Sequence, residues 1–241
     1  MIKIKDFTNL IKRSLFNSGW TCNACGKEIF GGYFCDDCLS EIVRIGDNKC
    51  LRCGRQTPYP VPTCDSCLEK SLSVDVMRSV FSYQPPISYV IQNFKYNNSK
   101  FHTDYFSKEM FEVYKRENLS CDIITFVPMS DKKLRKREYN QAKLLASALS
   151  KLIGAQVVDC ISKIKETENQ ANLTFKERVS NLKGAFKVDK KLVKGKSVLL
   201  VDDVLTTGST VGVIGEALKR GGATKVSVLT IASVSKFKNQ Q

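Results

Sequence analysis

The sequence predicts an α/β domain with a mainly parallel sheet, preceded by a small cysteine-rich module. From about residue 75 onward, strand-like apolar runs alternate with amphipathic helical segments, the pattern of a parallel sheet covered on both faces. The run Val198–Val201 is apolar without interruption, which is typical of a central strand. Eight of the ten cysteines lie within residues 22–67. We therefore expect two units, residues 1–70 and residues 71–241.

Length and composition indicate a globular protein with a basic surface. The 241 residues leave room for one full-sized domain and a smaller one, and 42% of them are apolar. Lysine and arginine outnumber aspartate and glutamate by 38 to 24, which gives a formal net charge of +14. This excess favours an anionic partner, either nucleic acid or small phosphates. A generally basic, soluble surface is the alternative.

The first residues predict a short amphipathic helix rather than a signal peptide. Phe7, Leu10, Ile11 and Leu15 have helical spacing, and charged residues interrupt any apolar targeting core. No apolar run approaches the roughly 18 residues that a membrane span needs. We expect a cytoplasmic protein without a transmembrane segment, whose cysteines are reduced.

The cysteines within residues 22–67 form four C-x-x-C pairs, the spacing of metal-binding knuckles. They are Cys22, Cys25, Cys35, Cys38, Cys50, Cys53, Cys64 and Cys67. Two knuckles complete a tetrahedral thiolate site, so the eight cysteines predict two structural Zn²⁺ ions in a double zinc-ribbon module. Sequential pairing of the knuckles closes the shorter loops, and interleaved pairing is the alternative. Gly54 lies where the chain must turn beneath the sulfurs.

Other uses of these cysteines are less favoured. A disulfide framework needs an oxidising compartment, and four C-x-x-C copies outnumber what redox chemistry requires. Cys121 and Cys160 stand outside the pairs beside strand-like runs, and we expect both to be buried as small hydrophobic residues.

The α/β segment divides into elements by its apolar periodicity. The expected strands are VMRSVFSY, DIITFVP, AQVVDCI, KSVLLVDDV and KVSVLTIASV. The expected helices are ISYVIQNFKY, DYFSKEMFEVYKRE, a helix ending near Gly154 with Ala142, Leu145, Leu149 and Leu152 on one face, a short helix opened by a Thr174–Glu177 capping box, and STVGVIGEALKR.

The stretch VLLVDDVLTTGST predicts the ligand site. In open α/β sheets, ligands bind beyond the carboxyl ends of the strands, where Asp202 and Asp203 are expected. The loop Thr206–Thr210 leads into a helix whose N-terminus favours an anion, and its glycine lets the backbone approach a phosphate. Two carboxylates beside a phosphate loop need hydroxyls or a metal as partners. A sugar phosphate with vicinal hydroxyls fits both halves, whereas an ordinary capped helix leaves the aspartates unexplained.

At these residues the sequence resembles the type I phosphoribosyltransferases, whose fingerprint is an apolar strand, two acidic residues and a T-T-G-x-T loop. The resemblance implies that Asp202 and Asp203 bind the ribose hydroxyls of phosphoribosyl pyrophosphate (PRPP). It assigns the 5′-phosphate to the loop residues Thr206, Thr207, Gly208, Ser209 and Thr210. It also implies Mg²⁺, held mainly through the ligand's own oxygens.

A double C-x-x-C module before such a domain resembles the ComF family of competence-associated proteins. Supporting segments are FKY from Phe94, VPMSDKKLRKREYNQAKLLA from Val127, and TENQANLTFKERVSNLKGAF from Thr167. In the second segment the family usually has R-G-F-N-Q, and here Glu138 and Tyr139 replace the glycine and phenylalanine. We expect the turn before the next helix to differ. The resemblance covers nearly the whole chain.

Three groups of residues are assigned less specifically. Lys95, Ser130, Arg135, Arg137 and Gln141 are candidate contacts for pyrophosphate or DNA, and Thr167, Gln170 and Arg178 belong to the region that is a mobile flap in phosphoribosyltransferases. For the basic run 132–137 a solvated helix face is the alternative, and for Lys95 the alternative is that neighbouring Phe94 only packs in the core. A second basic run, 187–196, is expected in a hairpin or loop. His102 has no partner motif and is expected at the surface.

The function implied by the resemblance is the handling of single-stranded DNA in natural transformation, with a PRPP pocket retained. Its implied partners are PRPP, single-stranded DNA and proteins of the DNA-uptake machinery. The alternatives are an active phosphoribosyltransferase with an unidentified acceptor, and a sensor whose affinity for DNA or protein depends on PRPP. No nucleobase pocket is recognisable, which favours binding over catalysis.

Overall fold

The structure, a computed structural model, describes residues 21–68, 73–96, 100–165 and 175–235. The predicted N-terminal helix (Phe7, Leu10, Ile11, Leu15), Thr174, and the flap residues Thr167 and Gln170 lie outside these ranges. Arg178 lies within a helix, but its side chain is outside the described part.

A five-stranded parallel sheet forms the centre of the molecule, with the order β1-β7-β6-β2-β3. The strands are β1 Val76–Ser82, β2 Ile123–Phe126, β3 Gln156–Val157, β6 Ser197–Leu205 and β7 Lys225–Ser233, and a separate antiparallel pair consists of β4 Ile161–Lys163 and β5 Phe186–Val188. The predicted parallel sheet is confirmed. The apolar run Val198–Val201 lies in β6, the third of the five strands, and is fully buried.

Helices cover both faces of this sheet. The described helices are α1 Asp36–Glu41, α2 Asp65–Leu68, α3 Ile87–Phe94, α4 Lys100–Arg116, α5 Asp131–Arg137, α6 Gln141–Ile153, α7 Phe175–Leu182, α8 Lys190–Val193 and α9 Ser209–Arg220. Because side chains of a strand alternate between faces, Leu199 and Val201 pack with α3, α4 and α6, while Val198 and Leu200 pack with α9. β6 is therefore held between two hydrophobic cores, one on each face of the sheet.

Residues before the sheet cover its β1 edge. Ile45 N–H donates to Val80 O at 2.9 Å, and Ser82 N–H donates to Val43 O at 2.9 Å. Residue 44 bridges Phe81 in antiparallel orientation. An uncovered edge strand offers a row of unsatisfied N–H and C=O groups, so this pairing both protects β1 and fastens the cysteine-rich residues to it. The boundary near residue 70 stays a prediction.

A group of charged side chains around Glu117 also attaches the cysteine-rich residues to the rest of the protein. Glu117, at the end of α4, accepts from Arg78 of β1 at 2.6 Å and lies 3.0 Å from Lys49 Nζ. These side chains are nearly buried, with exposed fractions of 12% for Arg78, 8% for Lys49 and 10% for Glu117. Although burial opposes it, the bonds from Arg78 and Lys49 lower the pKa of Glu117 below its ordinary value.

Several expectations for single segments are wrong. The run AQVVDCI forms two short strands, β3 and β4, rather than one. Leu152 is exposed, unlike the other three residues assigned to its apolar face, because it lies near the end of α6. The basic run 187–196 lies in β5, α8 and the following turn. Cys160 is buried as expected, whereas Cys121 is half-buried.

His102 is buried rather than at the surface. Its ring hydrogen-bonds to the hydroxyl of Tyr33, which belongs to the cysteine-rich segment. Burial lowers the pKa of His102 to about 4, so the ring is neutral at physiological pH. A lone histidine without a motif carried no signal of this contact, because its partner lies 69 residues away in the sequence.

Candidate functional site

The acidic pair lies near the carboxyl end of β6, where the sheet order places it beside β2 and β7. Asp202 Oδ1 accepts the Asp203 N–H at 2.9 Å, and Asp203 Oδ1 accepts the Val204 N–H at 2.7 Å. These local bonds orient both carboxyl groups before any ligand enters. The second oxygen of Asp203 lies 3.4 Å from Lys95 Nζ.

The surroundings of Asp202 disfavour its charged form. Burial first, and then the neighbouring Asp203 carboxylate, raise the pKa of Asp202 well above its ordinary value. Lys95 only partly offsets this effect. A hydroxyl donor or a cation that enters beside the pair lowers the repulsion, so the site is suited to sugar hydroxyls and to a metal-bound ligand.

The loop that the sequence predicts to bind phosphate, residues 206–210 and called the phosphate loop below, is a tight turn at the start of α9. Gly208 has φ +84°, a left-handed conformation that glycine adopts without strain, and it precedes the first helical residue, Ser209. Thr207 Oγ1 hydrogen-bonds to Ser209 Oγ at 2.8 Å and accepts the Ser209 N–H at 3.3 Å. The helix begins at Ser209, as predicted, so Ser209 and Thr210 of the loop are its first two residues. Its N-terminal N–H groups face the end of the sheet where the aspartates lie.

The opposite wall of the site comes from the end of α3 and the turn between α5 and α6. Gln141 Nε2 donates to the carbonyl of Lys95 at 3.2 Å, and the hydroxyl of Tyr139 donates to the carbonyl of Phe94. These bonds hold the backbone beneath Lys95, whose amine reaches Asp203. Phe94 itself is fully buried, so its ring belongs to the core. Lys95, Gln141 and Asp203 thus form one connected group.

The turn before α6 keeps the shape that glycine favours despite its glutamate. Glu138 has φ +65° and ends α5, with its N–H donating to Leu134 O at 2.7 Å. This left-handed conformation is uncommon for a non-glycine residue, and the expected difference from the family's turn stays a prediction. Tyr139, where the family usually has phenylalanine, adds a hydroxyl that Phe94 O accepts.

An aromatic ring and a guanidinium lie beside this wall. Arg137 stands over the ring of Tyr96 with 5.6 Å between its Cζ and the ring centroid. It also donates a long bond of 3.5 Å to Gln141 Oε1. Tyr96 is 59% exposed, so its ring is available to a partner, unlike that of Phe94.

The remaining predicted contacts are placed differently. Ser130 is buried and precedes α5 as its N-cap residue, with its carbonyl accepting the Leu134 N–H. Arg135 is exposed along with Lys132, Lys133 and Lys136, Arg137 is half-buried, and no residue of this helix is fully buried. α5 therefore has the solvated basic face that was the alternative for this run, and that face remains open to an anionic partner.

The eight paired cysteines gather into two tetrads. The first tetrad is Cys22, Cys25, Cys35 and Cys38, the second tetrad is Cys50, Cys53, Cys64 and Cys67, and within each one the sulfur atoms lie within 4.8 Å of one another. This is the sequential arrangement. No disulfide joins any of them.

Both tetrads have the dimensions of a zinc site. Cys25 Sγ lies 3.7 Å from Cys35 Sγ, and Cys53 Sγ lies 3.7 Å from Cys64 Sγ. A tetrahedron with Zn–S bonds of about 2.3 Å has S···S edges of about 3.8 Å, so the spacing fits Zn²⁺. Elsewhere in the described ranges no group of three or more His, Cys, Asp or Glu side chains is placed to hold a metal. Asp202 and Asp203 therefore have no third His, Cys, Asp or Glu ligand beside them with which to hold a metal ion.

Sequence reasoning missed one residue of the site, Arg55. It follows Gly54 in the knuckle of the second tetrad, and its guanidinium donates to the carbonyl of Thr206 in the phosphate loop. The contact spans 151 residues, and the only local signal was a basic residue after a C-x-x-C-G turn.

None of the described helices has the length and apolar content needed to cross a bilayer.

Comparison with known proteins places these features in one family. The family profile of the phosphoribosyl transferase domain matches residues 140–240. The chain is 31% identical over 206 residues to competence protein F of Haemophilus influenzae, covering 82% of this chain and 89% of that protein. It is 30% identical over 215 residues to the DNA utilization protein YhgH of Escherichia coli K12, covering 86% and 94%. It is 22% identical over 201 residues to competence protein ComFC of Streptococcus pneumoniae, covering 82% and 86%.

Proposed function

Because the chain belongs to the competence protein F (ComF) family, we propose that it handles single-stranded DNA during natural transformation and retains a PRPP pocket. Relatives that align over more than four-fifths of this chain are named for competence and DNA utilization. The observation that carries the PRPP half is the meeting of the acidic pair, the phosphate loop and Lys95 at one end of β6.

Each part of PRPP has a matching group in this site. Asp202 and Asp203 accept hydrogen bonds from the ribose hydroxyls, and the N–H groups at the start of α9 with the loop hydroxyls bind the 5′-phosphate. Lys95 and Arg137 are the cations on the pyrophosphate side. Mg²⁺ enters with PRPP and neutralises its diphosphate, because the described residues offer two adjacent carboxylates rather than a full set of ligands.

Zinc has a structural role in this proposal. Two closed thiolate tetrads leave no open coordination position for catalysis, and a segment of this size needs metal to hold its fold. Thiolates that bind zinc are stable in a reducing compartment, so we place the protein in the cytoplasm. Its partners there are single-stranded DNA and proteins of the DNA-uptake machinery.

DNA binding is assigned to the basic face of α5 and to Tyr96. Lys132, Lys133, Arg135 and Lys136 are exposed on one short helix, where they can neutralise backbone phosphates. The exposed ring of Tyr96, next to Arg137, offers a stacking surface for an unpaired base. Both features lie on the side of the molecule that carries Lys95, so DNA and PRPP occupy neighbouring positions.

A second candidate function is phosphoribosyl transfer to an unidentified acceptor. The complete acidic pair and loop favour it, since both are retained together with Lys95. The acceptor would form a bond to C1 of the ribose while the C1–O bond to pyrophosphate breaks and pyrophosphate leaves. An acceptor screen that follows pyrophosphate release tests this candidate.

The test of the proposed function compares the wild type with Asp203→Asn in two titrations. Calorimetry with Mg-PRPP should give saturable binding that the variant weakens by roughly 10-fold or more, because it loses a charge-assisted hydrogen bond of about 1.5–3 kcal/mol. Anisotropy with labelled single-stranded DNA should be the same for both proteins. If about five phosphates are contacted, log affinity against log salt has a slope of about −3.5.

The two titrations can fail separately. An unchanged PRPP dissociation constant in Asp203→Asn contradicts the ribose assignment, and a flat salt response excludes the basic face as the DNA site. Thermal unfolding of the variant serves as the control for folding.

A further inference from the structure

The second tetrad and the phosphate loop are direct neighbours. The space between them is lined by Cys53, Arg55, Ser66, Cys67, Thr207 and Gly208. The first tetrad has no described contact of this kind and joins the core on the other face of the sheet. A metal site and a ligand loop that share one small gap can influence each other through the residues in it.

The knuckle geometry delivers Arg55 to this gap. Cys50 N–H donates to Arg55 O at 2.9 Å, and Gly54 N–H donates to Cys50 O at 2.8 Å, which closes the turn around the sulfurs. Gly54 has φ +66°, and a Cβ there would lie 2.4 Å from Met77 O. Only glycine lets the knuckle press against β1, and that contact sets the direction in which Arg55 leaves the turn.

The guanidinium of Arg55 is buried and hydrogen-bonds to the loop 206–210. Arg55 is 8% exposed, and its Nη2 donates to Thr206 O. Its Nε is buried and has no hydrogen-bond partner among the described residues. A buried N–H without a partner costs stability, and such groups persist mainly where they have a further role. The position of Arg55 is therefore poorly explained by its own hydrogen bonding.

The bond to Thr206 determines how the loop presents its backbone. In a planar trans peptide the C=O and the next N–H point in opposite directions. When Arg55 holds the Thr206 carbonyl toward the tetrad, the Thr207 N–H points away from it. The buried positive charge also favours an anion in the loop.

We propose that Arg55 is a positioning residue through which the second tetrad holds the phosphate loop in its binding conformation. Zinc in this tetrad and a 5′-phosphate in the loop are then coupled, and the coupling is reciprocal. Zinc strengthens phosphate binding, and phosphate binding slows zinc release from this tetrad. The inference rests on the proposed PRPP pocket and adds to it a regulation by metal occupancy.

The test compares Arg55→Met, Arg55→Lys and the control Arg52→Met in the full-length, zinc-loaded protein. Arg52 lies in the same knuckle and donates to Cys67 O at 3.3 Å, with no described contact to the loop. Calorimetry is performed with Mg-PRPP, with ribose 5-phosphate and with pyrophosphate. We expect Arg55→Met to weaken the first two ligands about 10-fold or more, since a hydrogen bond from a charged group is lost.

The remaining measurements separate positioning from general damage. Arg55→Lys keeps one donor and should restore part of the affinity, whereas pyrophosphate binding and the Arg52→Met affinities should stay within about twofold of the wild type. PRPP should slow the release of one of the two zinc ions to a chelator in the wild type. In Arg55→Met it should slow neither.

Each outcome decides the inference. Wild-type affinity for ribose 5-phosphate in Arg55→Met overturns it, and so does an equal loss in Arg52→Met. If Arg55→Met does not fold, the zinc-release rates of the wild type and Arg55→Lys decide, and an absence of PRPP protection in the wild type overturns the coupling. A wild type that binds no PRPP removes the proposed pocket, and this result is distinct from PRPP binding that is insensitive to Arg55.

Discussion

The two tetrads are alike in local structure and differ in what surrounds them. Each begins with a C-x-x-C-G knuckle whose glycine has a positive φ, +78° at Gly26 and +66° at Gly54. Each ends with a C-x-x-C pair at the start of a short helix, α1 or α2. The two tetrads therefore offer the same four ligands in the same local geometry.

The residue after the knuckle glycine marks the difference. In the first tetrad it is Lys27, which is exposed and forms a 2.9 Å ion pair with Asp37 of the same module. In the second it is Arg55, which is buried and donates to the phosphate loop. The knuckle turn sets where this side chain leaves the backbone, and the neighbouring surface sets what it does.

The first tetrad is anchored by aromatic packing instead. Tyr33 stacks on Tyr105 of α4 with 3.7 Å between ring centroids, and its hydroxyl is bonded to His102. Phe34 packs edge-on against Tyr105. This attachment holds the module to α4 and includes no residue of the ligand site. One motif thus serves as an anchor in one copy and lies beside the loop 206–210 in the other.

The largest effect should come from breaking the tetrads one at a time. Structural zinc supplies on the order of 10 kcal/mol of folding free energy, and Cys25→Ser and Cys64→Ser should each lower the zinc content from two ions to one. Cys64→Ser should also weaken PRPP binding at least 10-fold. Cys25→Ser should leave it within about twofold, because its tetrad does not contact the loop. Metal analysis and calorimetry check both, and equal losses of affinity would contradict the comparison.

An intermediate effect is expected at Glu117, which pairs with Lys49 of the cysteine-rich segment and with Arg78 of β1. Glu117→Gln leaves Lys49 and Arg78 nearly buried without their carboxylate, and breaking such a group costs about 3 kcal/mol. Denaturant unfolding at pH 7 measures the loss. The native pKa of Glu117 is lowered, so its stabilisation is present above the unfolded value of about 4.3 and is lost as the pH falls through the native value.

The pH dependence is the control for this variant. The stability difference between the wild type and Glu117→Gln should be constant near neutrality and shrink below about pH 4. A difference that does not change with pH would mean that packing, rather than charge, is lost in the variant.

The smallest effect should come from Lys27→Met. Exposed ion pairs contribute little, because water screens them and both side chains lose freedom. We expect no measurable change in melting temperature, zinc content or PRPP affinity. The variant occupies the position equivalent to Arg55, so a loss of PRPP affinity would show that the two knuckles are not as different as their surroundings indicate.

Much of the fold and half of the site followed from local patterns. Apolar periodicity located the five strands of the sheet, because burial on both faces requires continuous apolar runs. The loop 206–210 was recognisable since its glycine, hydroxyls and preceding aspartates are contiguous in sequence. Lys95 and Gln141 were named as contacts, but their bonds to Asp203 and to each other's segments were not foreseeable from their positions.

Contacts between distant segments had no signal in the chain. His102 was expected at the surface because nothing nearby pairs with it, and Tyr33 buries it from 69 residues away. Glu138 has a left-handed backbone, and the residues after it, Tyr139 and Gln141, are hydrogen-bonded to the end of α3 from more than 40 positions away. Such contacts depend on how the folded helices and strands pack together, and the type of a single side chain predicts that packing only weakly.

Sequence alone was sufficient for the parallel sheet, for the two cysteine tetrads and for locating the acidic pair and the loop that follows it, because each depends on residues that are close together in the chain. The packing of the finished elements added the rest. It placed the second tetrad against the loop and directed Arg55 to Thr206. The physical reason is that the spacing of residues along the chain determines local geometry. Which distant segments become neighbours is decided only when the two cores form on opposite faces of the sheet.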